Sequence, residues 1–154
     1  MVTPMPDMRT KRQRPGLTVP FTLSPMEARL VDELPVASGW QFEPKWDGFR
    51  CLAFRDGDTV ELRSKSNQPL ARYFPELVAA LRALKAKHFV LDGEIAIQIK
   101  GELSFDDLLM RIHPAESRIR KLAAETPATY YCFDLLVDDR GHLLAEKMLR
   151  DRRP

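Results

Sequence analysis

No stretch of this 154-residue sequence approaches the roughly 20 consecutive apolar residues needed to cross a bilayer. The N-terminus lacks the short apolar core of a secretory signal. Cysteine is scarce: Cys51 and Cys132 stand far apart, in no CxxC pair and beside no histidine cluster. That pattern argues against a zinc site and for buried, reduced thiols in a cytoplasmic protein with no membrane attachment. There is no Gly-x4-Gly-Lys-Ser/Thr run, which sets aside a P-loop nucleotide site. Internal repeats are absent, and no low-complexity tract occurs beyond the N-terminal end. Nor does the formal net charge of +2 mark a nucleic-acid binder by itself.

What is present suits one soluble domain, since a chain of this length buries about 70% of its unfolded surface. Residues 1–20 carry Arg9, Lys11, Arg12 and Arg14 against Asp7 alone, a local charge of +3 that leaves the rest near −1. With its proline and threonine and few large apolar residues, this stretch reads as a flexible basic arm. Such an arm is either a solvated end or a contact for phosphate backbones. The folded part is expected over 21–154.

Strand-like alternation begins at Trp40 and Phe42 and resumes at Phe49, Cys51 and Ala53. Asp56-Gly57 between two such runs predicts a hairpin. Tyr73, Leu77, Leu81 and Leu84 fall at helical spacing, ahead of the basic Lys85 and Lys87. Residues 89–99 read either as two strands about an Asp92-Gly93 turn or as one strand bent at Gly93. Lys100-Gly101 marks a further turn. Ser104 is placed to cap a helix through Arg111, with Asp106 and Asp107 in its first turn. A second helix is expected from Pro114 to Glu125. Thr129 to Val137 reads as a buried strand, followed by a turn at Asp138-Asp139-Arg140-Gly141. Short strands in hairpins with interspersed helices predict an α+β fold with largely antiparallel sheets.

The chemistry-bearing residues start at Glu43-Pro44-Lys45-Trp46-Asp47-Gly48-Phe49-Arg50. A lysine must be neutral to attack as a nucleophile, which desolvation, a neighbouring cation such as Arg50, or a bound metal would favour. By itself Lys45 reads more readily as an exposed strand-end lysine beside an ordinary turn. Asp47 would then only shape that turn, and Glu43 with Arg50 would form a local ion pair of little energy. Company changes the balance. Leu91-Asp92-Gly93-Glu94-Ile95 and Phe133-Asp134-Leu135-Leu136 follow in order. Together the three segments resemble the motifs of the covalent nucleotidyltransferases: ATP-dependent DNA ligases, RNA ligases and mRNA capping enzymes. Arg63-Ser64-Lys65-Ser66-Asn67, the run Arg72-Tyr73-Phe74-Pro75-Glu76-Leu77 and the Phe-Asp-Leu-Leu segment favour the DNA ligases. Arg111-Ile112-His113-Pro114 resembles small bacterial end-joining ligases of the ligase C type. The likeness covers roughly Pro25 to Pro154.

That resemblance implies an ATP-grasp-like nucleotidyltransferase core and ATP and Mg2+ as cofactors. It also implies nicked or broken duplex DNA as the substrate, with end-joining repair proteins as candidate partners. It makes Lys45 the residue that takes AMP from ATP and passes it to a DNA 5′-phosphate. Glu43 would read the adenine, Arg50 and Lys65 would meet phosphates, Glu94 would bind the ribose or a magnesium ion, and Phe133 would stack on the adenine. Lys65 stands where the family usually has arginine, which keeps the charge and loses the forked geometry. The family's fourth and fifth motifs and its DNA-clamping OB-fold domain have no counterpart after Phe133, so the adenylation core is expected to be incomplete at its C-terminus and impaired in ligation. The alternative is a ligase-derived fragment that at most binds nucleotide or nucleic acid. His113, Trp40 and Trp46 read as loop and packing residues.

Overall fold

The computed structural model describes residues 16–17, 19–27, 31–40 and 42–144. The basic residues of the expected arm and the segment after Leu144 lie outside them. Among the described residues, five strands form one antiparallel sheet in which β3 is central. Strand β1 (Phe49–Asp56) pairs with β2 (Thr59–Ser64) through a two-residue turn. Gly57 opens that turn at φ +62°, a conformation that favours glycine at the first central position of a hairpin. Strand β3 (His88–Ile99) runs for 12 residues without interruption, which settles the choice left open at Gly93 in favour of one strand. It pairs with β1 and with β5 (Ala128–Val137), and its last two residues pair with the short β4 (Glu102–Leu103) across the Lys100-Gly101 turn.

Helix α1 (Pro75–Ala83) starts later than the apolar spacing predicts. Proline cannot sit inside a helix but suits its first position, so Tyr73 falls in a 3₁₀ turn (Ala71–Tyr73) and Leu84 beyond the last turn. Leu77 and Leu81, one helical turn apart, bury against the sheet with Phe74, Leu62, Ile95 and Ile97. The fully buried Arg55 reaches from β1 to donate to the carbonyls of Leu81 and Leu84, satisfying acceptors at the helix C-terminus.

Helix α2 (Phe105–Leu109) is capped by Ser104, whose Oγ accepts from the Asp107 amide, but it stops short of Arg111. Arg111 is drawn into the interior instead, where it donates to Glu76 and to the Tyr73 carbonyl at 2.8 Å and lies 5.0 Å above the Phe74 ring. Helix α3 (Glu116–Glu125) begins two residues after Pro114, with Ala115 still extended. Three other expectations change. Trp40 and Phe42 are not in a strand and are each 61% exposed; Pro44, which has no N–H to give a ladder, precedes the true start at Phe49. Strand β5 is only partly buried: Ala128, Asp134, Leu136 and Val137 are buried, whereas Thr129 and Cys132 are exposed. Of the two cysteines only Cys51 is thus buried as expected, and burial pushes its thiol pKa up.

Candidate nucleotide site

The sheet has two faces, and strand periodicity sorts them. Leu91, Ile95 and Ile97 of β3 face α1, while Val90, Asp92 and Glu94 face the other way. Directly opposed residues of antiparallel strands share a face, so Arg50, opposite Glu94, and Tyr131, opposite Glu94 on the other side, join that second face. Asp134 opposes Asp92 and Cys132 opposes Gly93, leaving Phe133 as an extra residue in a β-bulge. The bulge turns its ring under the Arg50 guanidinium, 4.5 Å from the centroid.

Arg50 is held firmly. Its Nε and Nη2 donate to the two Asp92 carboxylate oxygens at 2.6 and 2.8 Å, and Nη2 also reaches the Met26 carbonyl at 3.3 Å. Asp92 is buried, and this forked pair is the geometry that arginine and carboxylate favour. Burial alone would lower the Arg50 pKa, but the bond and charge of Asp92 raise it, so the cation persists. The local Glu43–Arg50 pair considered from the sequence is thus replaced by a pairing across the sheet. Glu94 is half-buried. Burial raises its pKa, opposed by Arg50, by the Gly48 amide that donates to it, and by Lys45; the net shift is upward.

The glycines of Asp47-Gly48 and Asp92-Gly93 are required by close approach. A Cβ on Gly48 would lie 2.2 Å from the Ile95 carbonyl oxygen, and one on Gly93 would lie 2.5 Å from that of Tyr131. Gly48 therefore lets the loop bearing Lys45 press against β3. Trp46 stacks on Tyr131, with centroids 4.2 Å apart and planes at 17°. Lys45 points to solvent, its side chain 87% exposed and its Nζ 3.1 Å from Asp47.

A cavity of about 740 Å³ opens at this end of the sheet. Arg50, Lys65 and Glu94 line it, together with Glu27, Gln68 and Ile112. Lys65 is 3.2 Å from Glu27. The fold thus gathers three of the six residues singled out from the sequence into one wall. Lys45 and Glu43 lie on the loop leading into that wall, and Phe133 stands behind Arg50. Asp92, Glu27 and Tyr131 were missed. Asp92 had a signal, since it stands two positions before Glu94 and so on the same face; Glu27 and Tyr131 had none. Among the described residues no group of three His, Cys, Asp or Glu side chains could hold a metal ion. Glu94 is a single carboxylate, and both oxygens of Asp92 are engaged by Arg50. That donor set suits a magnesium ion held mainly by phosphates and water, not one caged by protein.

Residues 25–154 match the family described as ATP dependent DNA ligase domain. The chain belongs to this family. Among the relatives of this ligase-family chain, DNA ligase C of Mycobacterium tuberculosis is 54% identical over 114 residues, covering 74% of this chain and 31% of the relative. DNA ligase C1 of Mycolicibacterium smegmatis is 47% identical over 135 residues, covering 84% and 39%. A solved structure of mycobacterial DNA ligase D complexed with ATP and MES superposes with a TM-score of 0.58 at 33% identity, over 72% of this chain and 33% of that one. The ligase-family chain spans about a third of the length of these relatives. Its α+β, antiparallel architecture is that of part of the DNA ligase adenylation domain.

Proposed function

We propose that this chain serves as the adenylation module of an ATP-dependent DNA ligase acting in the repair and recombination of broken DNA. Lys45 Nζ attacks the α-phosphate of ATP, a phosphorus–nitrogen bond forms, and pyrophosphate leaves. The AMP then passes to the 5′-phosphate of a nick or break, where a 3′-hydroxyl displaces it. One observation carries this reading: a solvent-facing lysine on a loop pinned beside a cavity lined by Arg50, Lys65 and Glu94. Arg50, held by Asp92, and Lys65 supply positive charge that suits a polyphosphate, and charge placed beside the reacting group stabilises the transition state of group transfer. Glu43 contacts the adenine and Phe133 stacks on it, and Glu94 meets the ribose or magnesium. The magnesium ion, when bound, neutralises phosphate charge as it develops.

The names of further relatives, multifunctional non-homologous end joining proteins of mycobacteria, support end-joining factors as partners. A DNA substrate supports a cytoplasmic location. No helix among the described residues is long and apolar enough to cross a membrane. The test is self-adenylation. The purified chain is incubated with α-labelled ATP and magnesium beside Lys45→Ala, then resolved on a denaturing gel. Label on the wild type and none on the variant supports the reading. A folded wild type that binds ATP but takes no label would make the chain a nucleotide-binding relative without turnover.

A further inference from the structure

We infer that Tyr131 is a positioning residue for Lys45, acting through the stacked indole of Trp46. This rests on the reading of Lys45 as the nucleophile. Residues 42–48 have no regular structure, and the side chains flanking Trp46 stand in solvent, Lys45 at 87% and Asp47 at 75% exposed. Glu43 has a contact of its own before Lys45, and two contacts fix the loop to the sheet after it. At Gly48 the backbone lies against the Ile95 carbonyl, with its amide on Glu94. At Trp46 the indole lies flat on the Tyr131 ring. Gly48 is three residues from Lys45, whereas Trp46 is its neighbour.

With Trp46 held down on β5, Lys45 and Asp47 both stand in solvent, and their 3.1 Å pair shows that they share a side. Tyr131 sits directly opposite Glu94 in the β3–β5 register, and Glu94 directly opposite Arg50. The ring is thus in line with the residues that line the cavity, and the stack sets where Lys45 stands relative to them. Tyr131 touches no reacting atom in this arrangement. It works by keeping the loop in one place.

The experiment compares wild type, Tyr131→Ala and Tyr131→Phe in the full chain by two readouts. Limited trypsin digestion with mass spectrometry follows cleavage after Lys45, which reports loop opening. Initial labelling rates across ATP concentrations separate the maximal rate from the half-saturating ATP. A stacked aromatic pair shifts a local equilibrium about two- to tenfold, so Tyr131→Ala is expected to speed cleavage and slow maximal labelling by that factor. Half-saturating ATP should stay within about twofold. Tyr131→Phe should restore both. If the alanine variant does not fold, Tyr131→Leu replaces it, keeping apolar bulk on the strand without a ring, and should show the same loss. Wild-type cleavage at Lys45 in the ringless variant would overturn the inference, as would a phenylalanine variant as impaired as alanine. If the wild type takes no label, the function proposed above fails, and the cleavage comparison alone decides the role of Tyr131.

Discussion

The two faces of the sheet are made by the same strands, often by adjacent residues, yet they are organised differently. On the face under α1, Cys51, Ala53, Leu62, Ile95 and Ile97 meet Phe74, Leu77 and Leu81 in an almost wholly apolar cluster. The other face is divided along its length. At one end Leu52, Phe54 and Val90 pack with Leu17, Val19 and Leu23. At the other, Arg50, Asp92, Glu94 and Tyr131 replace them. A strand's period of two lets one segment supply core and site at once, provided that the polar end is internally paired. The Arg50–Asp92 fork meets that condition, and the exposed Lys45 does not need to.

Four substitutions test this division, from the largest expected change in stability to the smallest. Phe74→Ala removes a fully buried ring under α1 and should cost ~3–5 kcal/mol, read as a lower urea midpoint by circular dichroism. A loss below ~1 kcal/mol would mean that this face is not the main source of stability. Asp92→Ala strips Arg50 of its partner on the site face. The expected cost is smaller, about 1–3 kcal/mol, because the arginine side chain is already 28% exposed and can turn to water. A loss equal to that of Phe74→Ala would erase the distinction between the faces.

Glu94→Gln should act in the opposite direction. Burial lifts the Glu94 carboxyl above its ordinary range, so its pKa is higher folded than unfolded. The stability tied to its protonated form is fully present below the unfolded value and is lost as pH rises through the folded one. At neutral pH the ionised wild type therefore bears a penalty that glutamine avoids. The variant should melt slightly higher at neutral pH and show no such gain in acid below the carboxylate range. Solvent around the half-exposed group keeps the effect well under that of Asp92. A glutamine variant less stable at neutral pH would show that the contacts to Arg50 and Gly48 outweigh burial. Lys45→Ala should leave stability within ~0.5 kcal/mol while abolishing labelling, since the side chain stands in water. A large loss of stability there would make Lys45 a structural residue.

Much of this was legible in the sequence because the signals are local. The hairpin at Gly57, the Lys100-Gly101 turn, the Ser104 cap and the antiparallel α+β class depend on residues a few positions apart. Each of the three motif segments is likewise local. The apolar alternation from Trp40 misled, since a strand needs a partner as well as a pattern, and Pro44 breaks the run. Arg111 looked like the end of a helix and lies in the interior, because its partner Glu76 is 35 residues away.

The sequence by itself determined which residue types bear the chemistry and which local conformations surround them, for turns, caps and strand alternation arise from neighbours along the chain. The tertiary structure alone decided the pairings. Arg50 meets Asp92 across 42 residues, Trp46 meets Tyr131, and a bulge turns Phe133 beneath Arg50. Each of these depends on strand register. Register is set by how the apolar faces pack as a whole, and a slip of one residue would send every one of these side chains to the opposite face.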